Sequence, residues 1–207
     1  MVKNKIIKYL KSLEKDHFHN RFTKGVLDKF LYFQFLCSQI PTGDVVECGI
    51  GKTRTFQMLV YLNQDRNIIG FDSFSGFPKV SIFDDSFRKS EEGQWNIMTK
   101  KKALDTIKCM QIDLSKVKII EGYFEDTLKQ YKGEIAFLHL DCDLYDSYKT
   151  CLEELFSKVK KGGIVAFDEY NEPKFPGATK AIDEFLKNRY RIQTYSCGNK
   201  IKHFIVK

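Results

Sequence analysis

The stretch DVVECGIGKT, residues 44–53, places a short β-branched run directly before two closely spaced glycines. An apolar strand, an acidic residue and then Gly-x-Gly at the start of a helix form a pattern typical of ligand-binding α/β sheets. The glycines permit close approach of the backbone to a ligand, and the following helix offers free N–H groups to an anionic group. The stretch therefore predicts a parallel sheet with a ligand site at the end of its first strand.

The end of this stretch, Gly51-Lys52-Thr53, also matches the end of a phosphate-binding P-loop. A P-loop requires an earlier glycine at position 46, where this chain has Val46, so the usual cradle of backbone N–H groups cannot form. A second acid, Asp72, ends the next predicted strand at about the spacing at which a carboxylate binds the ribose of an adenosine cofactor. Glu47 and Asp72 together favour a dinucleotide or S-adenosylmethionine. The alternative is a structural turn beside an unrelated surface acid.

Strand and helix patterns alternate after Pro41, and this order predicts a parallel sheet with helices on both faces. At the tail, two strand-like runs are separated only by a Cys-Gly-Asn turn and must be antiparallel. The predicted strands cover residues 44–48, 67–72, 117–124, 134–141, 163–169, 190–196 and 201–207, and the predicted helices cover 3–14, 24–38, 55–62, 145–159 and 177–188. We expect one α/β domain over residues 1–207, built on a mostly parallel seven-stranded sheet that ends in an antiparallel hairpin.

Two parts of the chain fall outside this alternation. The predicted N-terminal helices, within residues 1–40, have apolar faces that we expect to lie outside the sheet core, where they could cover a neighbouring subunit in a homo-oligomer. Residues 73–96 show no clean period, and loops this long are usually functional lids or disordered segments. The segment carries five large aromatic residues, Phe74, Phe77, Phe83, Phe87 and Trp95. They favour an ordered lid, although burial under the domain would explain them equally.

Four acidic residues follow two of the predicted strands, Asp141 and Asp143 after one and Asp168 and Glu169 at the end of another. Ligands of such sheets bind beyond the carboxyl ends of the strands, so these acids should lie at the same edge as the glycine turn. Clustered carboxylates repel one another and persist where they share a cation, and oxygen ligands are those that Mg²⁺ prefers. The sequence predicts a magnesium site, although Asp143 or Asp146 could instead cap the helix that follows.

With these residues in view, the chain resembles the macrocin O-methyltransferase family of magnesium- and S-adenosylmethionine-dependent sugar O-methyltransferases. The matching stretches keep their order and are GDVVECG (43–49), FDSFSGFP (71–78), GYFEDTL (122–128), LHLDCDLYDSYKTCLEEL (138–155) and GGIVAFDEYNEPKFPGATKAIDEF (162–185). The resemblance implies the Rossmann-like fold of class I methyltransferases, in which a mostly parallel sheet also ends in an antiparallel hairpin.

The resemblance also implies roles for individual residues. Asp72 would bind the ribose of S-adenosylmethionine, and the implied cofactor-binding residues are Glu47, Cys48, Gly49, Gly51, Thr55, Asp72 and Ser73. The implied Mg²⁺ ligands are Asp141, Asp168 and Glu169, and Asp143 would be the general base. Two departures stand out: the family usually has paired aspartates where this chain has Asp168-Glu169, and a Gly-Gly-Ser type of helix start where it has Thr53-Arg54-Thr55.

The implied acceptor is a sugar or nucleotide-linked sugar whose neighbouring hydroxyl groups chelate the metal. Arg88 and Lys89 could then contact a substrate phosphate, or they could be solvated surface charges. Two alternatives to this function are a catechol-type O-methyltransferase with the same metal and a non-catalytic binding protein that keeps the fold. The aromatic residues of the lid give the catechol alternative some support.

Composition limits the setting more than the function. The 34 Lys and Arg against 27 Asp and Glu give a net charge of +7, which is most simply a solvated basic surface, and we expect no nucleic-acid partner. The six cysteines form no C-x-x-C pair, which favours a reducing compartment. The N-terminal residues contain Lys every few positions, and no segment has the length of a membrane span. We expect a cytoplasmic protein.

Overall fold

A seven-stranded sheet forms the centre of the computed structural model, which describes residues 24–187 and 189–207. In chain order the strands are β1 (Asp44–Cys48), β2 (Ile68–Asp72), β3 (Val117–Glu121), β4 (Ile135–Leu140), β5 (Val159–Phe167), β6 (Gln193–Cys197) and β7 (Lys200–Val206). Their order across the sheet is β3-β2-β1-β4-β5-β7-β6, with β1 to β5 parallel and β7 antiparallel to both β5 and β6. The predicted fold class is confirmed.

Helices cover both faces of this sheet. Side chains alternate between the two faces along each buried strand, so each face presents an apolar core that helices cover. The helices are α1 (Lys24–Cys37), α2 (Arg54–Leu62), α3 (Lys100–Lys108), α4 (Phe124–Thr127), α5 (Tyr145–Leu155) and α6 (Pro176–Leu186). On β1, Val45 packs in the core that α1, α2 and α3 cover, and the next residue, Val46, packs in the core that α5 and α6 cover. Strands buried on both faces read as nearly continuous apolar runs, as β2 and β4 do.

The chain changes direction across the sheet between β1 and β4, and this change positions the site. After β1 the chain adds β2 and β3 on one side, and β4 and β5 then form on the other side. Ligands bind such sheets in the crevice at this switch point. Gly49, directly after β1, has a φ of 85°, and a Cβ there would lie 1.8 Å from the carbonyl oxygen of Asp141 after β4. Only glycine permits this contact between the two strand ends.

Several element boundaries differ from the predicted ones. Strand β3 ends at Glu121, because Gly122 takes a φ of 137° and α4 begins at Phe124. Helix α5 ends at Leu155 and continues into a short 3-10 helix, and β5 begins earlier than predicted, at Val159. These differences lie at element ends, where hydrophobic period is least informative.

Helix α1 packs on the sheet itself, so the prediction that its apolar face lies outside the core is wrong. Phe30, Phe33 and Leu36 are fully buried, and the Phe33 ring meets the Phe137 ring edge-on at a centroid distance of 6.2 Å. A helical period shows that one face is apolar but not which surface that face covers. The other predicted N-terminal helix, residues 3–14, lies outside the described residues. Within the described ranges, no helix combines the length and apolar character required to cross a membrane.

Candidate functional site

A cavity of about 740 Å³ opens at the carboxyl ends of the strands, above the switch point. It brings the two predicted halves of the site together, since the glycine turn lines one part and the acidic residues line another. The predicted residues that line it are Gly49, Gly51, Thr55, Asp72, Ser73, Asp141, Asp143, Asp168 and Glu169. A volume of this size is typical of small-molecule sites.

Backbone hydrogen bonds fix the glycine-turn side of the cavity. The Gly51 N–H donates to Asp72 Oδ2 and the Phe74 N–H donates to Asp72 Oδ1, each at 2.8 Å. Thr53, at the start of α2, has a φ of 66°, and its side chain makes no capping hydrogen bond. Arg54 and Thr55, in the first turn of α2, line the cavity. The N-terminal end of α2, which favours negative charge, therefore faces the cavity.

Glu47 and Cys48, which directly precede the glycine turn, are buried in the sheet and do not line the cavity. Glu47 is fully buried, its Oε1 lies 2.8 Å from His139 Nδ1, and its Oε2 has no hydrogen-bond partner in the described part of the chain. Burial raises the pKa of Glu47 to about 6, and the hydrogen bond to His139 opposes that shift. Cys48 packs in the core under α5 and α6, because alternate strand residues face opposite sides of the sheet.

The acidic residues converge as predicted. One carboxylate oxygen from each of Asp141, Asp168 and Glu169 lies within 4.8 Å of the others. Asp143 is adjacent, since its N–H donates to Glu169 Oε2 at 3.3 Å, and its own backbone has a φ of 60°. The Tyr148 hydroxyl group, 2.6 Å from the same Glu169 oxygen, donates to it from the buried side. Tyr148 thus holds the longer glutamate side chain where the family usually has aspartate.

Three cationic or polar side chains that the sequence reasoning overlooked surround Asp168. Asp168 Oδ1 lies 2.6 Å from Lys202 Nζ, 3.6 Å from Lys29 Nζ and 3.8 Å from His139 Nε2. His139 could have been noticed, because it lies two positions before Asp141 in a predicted strand, 134–141, and residues two apart in a strand share a face. Lys29 on α1 and Lys202 on β7 carry no local signal, because only the folded chain brings them to β5.

Burial and charge separate the pKa values of the cluster. Burial alone would raise the pKa of Asp168, but Lys29, His139 and Lys202 outweigh it and hold that pKa well below its usual range. Burial and repulsion from neighbouring carboxylates raise the pKa values of Asp141, Asp143 and Glu169. For His139, burial would lower the pKa, yet hydrogen bonds to Asp168 and Glu47 raise it to about 9. Ionising all four carboxyl groups is therefore unfavourable, because Lys29, His139 and Lys202 do not offset four negative charges.

These residues fit a divalent cation. Three carboxylates supply oxygen atoms close enough to share one ion, and oxygen-only ligands suit Mg²⁺. The raised pKa values of Asp141 and Glu169 show that further positive charge would be favourable there. A second group, Glu47, His139 and Asp141, is equally close, but Glu47 and His139 already pair with each other.

Residues 73–96, the predicted lid, lie beside the cavity and contribute to its lining. Phe77 and Trp95 line the cavity, and the Arg88 guanidinium lies over the rings of Phe77, Trp95 and Phe175 at 4.9–5.6 Å. Lys89 pairs with an exposed lid carboxylate at 2.8 Å. Neither Arg88 nor Lys89 lines the cavity, so the contact with a substrate phosphate that the sequence suggested is not supported for them.

The alternative that Asp143 or Asp146 caps α5 is wrong. The N-cap position of α5 is Leu144, and no side-chain capping hydrogen bond comes from it. The carboxylate at this helix start comes from the lid, because Asp84 Oδ1 accepts a hydrogen bond from the Tyr145 N–H at 2.8 Å. Asp143 therefore keeps its carboxylate at the cavity.

Comparison with known proteins gives the same fold and a family. The family model described as macrocin-O-methyltransferase (TylF) matches residues 32–195. A curated relative, the 8-demethyl-8-(2,3-dimethoxy-alpha-L-rhamnosyl)-tetracenomycin-C 4'-O-methyltransferase of Streptomyces olivaceus, is 29% identical over 145 residues, which is 65% of this chain and 55% of that protein. The chain spans 55–60% of the length of the curated relatives it matches.

Solved structures of low sequence identity share the fold. A calicheamicin methyltransferase superposes with a TM-score of 0.74 at 24% identity, covering 88% of this chain and 77% of the other. A Podospora anserina methyltransferase solved with SAH bound gives a TM-score of 0.60 at 15% identity, covering 99% of this chain and 88% of the other. At these identities the likeness speaks for the fold alone.

Proposed function

The chain belongs to the macrocin-O-methyltransferase family, and on that basis we propose that it transfers a methyl group from S-adenosylmethionine to a sugar hydroxyl group in a magnesium-dependent reaction. One observation carries the proposal. A single cavity joins the glycine turn with Asp72 to the cluster of Asp141, Asp143, Asp168 and Glu169. The cofactor and the acceptor would therefore meet in one cavity, as methyl transfer requires.

The glycine-turn side fits S-adenosylmethionine. Asp72 would accept hydrogen bonds from the ribose hydroxyl groups, since each of its oxygens has a second lone pair beyond the bond to Gly51 or Phe74. The open start of α2, near Thr55, would bind the carboxylate of the cofactor. The match to a methyltransferase family supports this choice over a dinucleotide.

The acidic side would bind Mg²⁺ and the acceptor. Asp141, Asp168 and Glu169 would hold the ion, which when bound supplies positive charge and polarises a sugar hydroxyl group. Asp143 lines the cavity beside them, and burial together with repulsion from Asp141 raises its pKa. A raised pKa makes a carboxylate a stronger proton acceptor, so Asp143 would take the proton of the reacting hydroxyl group.

The acceptor class rests on the relatives. The Streptomyces olivaceus protein is named as a 4'-O-methyltransferase of a rhamnosyl-bearing tetracenomycin, and the family is named for macrocin O-methylation. A sugar presents neighbouring hydroxyl groups, which suit a cluster of oxygen ligands that share one cation. A catechol presents the same pair of oxygens, so the acceptor must be identified by assay.

A methyl-transfer screen tests the proposal. Nucleotide sugars, other vicinal diols and catechols would be incubated with S-adenosylmethionine, with Mg²⁺ or with EDTA. We expect transfer to a sugar only with Mg²⁺, and a D143N variant should bind S-adenosylmethionine normally but lose turnover. Transfer to catechols alone would change the acceptor class. Absence of S-adenosylmethionine binding by calorimetry, with or without Mg²⁺, would leave only a non-catalytic binding protein.

A further inference from the structure

We propose that Asp84 of the lid is a positioning residue that holds the lid closed over the cavity and fixes the proposed base Asp143 through helix α5. The effect on turnover rests on the proposed function, whereas the effect on local structure does not. Asp84 does not line the cavity, so its positioning role would be to act through Tyr145; its charge also makes a direct contribution, the smallest of several, to the raised pKa of Asp143.

Both carboxylate oxygens of Asp84 are engaged, and the residue is only 2% exposed. Its Oδ1 accepts from the Tyr145 N–H at 2.8 Å, and its Oδ2 accepts from the Ser81 N–H at 3.1 Å. The first bond satisfies an N–H at the start of α5, where the local N-cap residue, Leu144, has no polar side chain to do so. A negative charge is also favourable at a helix N-terminus. The cap of α5 is thus supplied by a residue that lies 61 positions earlier in the chain.

Gly177, in the first turn of α6, leaves room for this carboxylate. A Cβ at Gly177 would lie 1.9 Å from Asp84 Oδ1 and 2.9 Å from the Tyr145 Cβ. The backbone of α6 therefore approaches Asp84 and Tyr145 at a distance that only glycine permits. Asp84 lies enclosed between the starts of α5 and α6, which explains why so little of it is exposed.

The same contact determines where Asp143 lies. Asp143 precedes Tyr145 by two positions and has a φ of 60°, a left-handed conformation that the surrounding contacts must hold in place. Buried Leu144 anchors the segment between them, and the Asp143 N–H bonds to Glu169. If the Tyr145 N–H lost its acceptor, the segment would lose one of the contacts that hold it next to the base.

The lid makes further contacts on either side of Asp84. The Phe83 ring lies 4.6 Å from the Tyr145 ring, and the Ser86 hydroxyl group donates to the Lys174 carbonyl at 2.9 Å. Arg88 lies against Phe175, just before α6. The Ser86 bond is exposed, and the rings of Phe83 and Tyr145 are partly exposed, whereas the Asp84 side chain is buried and its two hydrogen bonds are partly buried. Asp84 is thus the most buried of the lid residues that make these contacts, and the same lid carries Phe77 and Trp95, which line the cavity.

Four variants test the proposal. D84A removes the acceptor, D84N keeps an oxygen that can accept from the Tyr145 N–H, and G177A keeps the carboxylate but displaces it. D85A is the matched control, since Asp85 neighbours Asp84 in the lid but is exposed and paired with Lys89. Hydrogen–deuterium exchange of peptides covering residues 80–90 and 141–149 measures the local structure, and calorimetry measures S-adenosylmethionine binding. Steady-state kinetics with the acceptor sugar found in the screen separates the effects on kcat from those on KM.

We expect hydrogen exchange in both peptides to be about tenfold faster in D84A and G177A than in wild type, and kcat to be about tenfold lower. Each change is the size expected for the loss of one helix cap. Cofactor affinity should change less than about threefold, and D84N should retain most of kcat. D85A should behave as wild type. The proposal is overturned if D84A leaves exchange and kcat unchanged, or if exchange rises in both peptides without any change in kcat. If wild type transfers no methyl group, the proposed function fails, while the exchange data still decide whether Asp84 ties the lid to α5.

Discussion

The two sides of the cavity are held in place in different ways. On the glycine-turn side, a short contiguous stretch and one carboxylate, Asp72, are fixed by backbone contacts, with Gly49 against the Asp141 carbonyl and the Gly51 N–H on Asp72. On the acidic side, charged side chains from α1, β4, β5 and β7 balance one another around Asp168. The first side depends on backbone shape and the second on charge. Changes of shape and changes of charge should therefore act on them separately.

The largest effect should come from G49A, because Gly49 belongs to both sides. A methyl group there would meet the Asp141 carbonyl at 1.8 Å, and the φ of 85° is unfavourable for alanine. We expect the free energy of unfolding to fall by about 3 kcal/mol or more, together with loss of S-adenosylmethionine binding. Chemical denaturation and calorimetry measure the two effects.

G51A is the matched control for G49A. Gly51 also has a positive φ, 42°, but no atom of the described chain lies within 4 Å of its would-be Cβ. We expect a loss of only about 1 kcal/mol, the cost of the backbone conformation alone. Equal losses for the two variants would show that the close contact between β1 and β4 does not fix the turn.

The same contrast explains what could be predicted from sequence. Periodicity and turn chemistry are local, so the sheet, its antiparallel hairpin, the glycine turn and the acids at the strand ends could all be predicted. Lys29, Lys202 and Asp84 could not, because each acquires its partner only when distant segments meet. Helix α3, KKKALDTIK, also gave no clear pattern, since it buries only Ala103 and Ile107. Sequence thus shows the negative charge of the site but not most of the side chains that balance or position it.

K202M should have a smaller effect. We expect it to lower the free energy of unfolding by about 2 kcal/mol at neutral pH in EDTA, since Asp168 would lose its closest cation while Lys29 and His139 remain. The pKa of Asp168 is lowered in the folded protein, so its stabilising contribution is present above the ordinary aspartate pKa of about 4 and is lost as the pH falls through the folded value. The difference between wild type and K202M should therefore narrow below about pH 4. Denaturation curves over pH measure it. A difference that stays constant with pH would show that Lys202 acts by packing and not by charge.

The smallest effect should come from D141N, which we expect to make the folded protein slightly more stable in EDTA. The pKa of Asp141 is raised by burial and by the charge of Asp168, so its ionised form destabilises the folded protein as the pH rises through that range. D141N removes one like charge and should raise the free energy of unfolding in EDTA by about 1 kcal/mol at neutral pH.

Mg²⁺ should stabilise wild type by binding the folded state but leave D141N unchanged, because one of the three oxygen ligands is weakened. D146N, at the neighbouring surface acid, is the control and should respond to Mg²⁺ as wild type does. A D141N protein that is less stable than wild type in EDTA would mean that Asp141 is held by contacts that outweigh its repulsion, and the charge account of the acidic side would then be wrong.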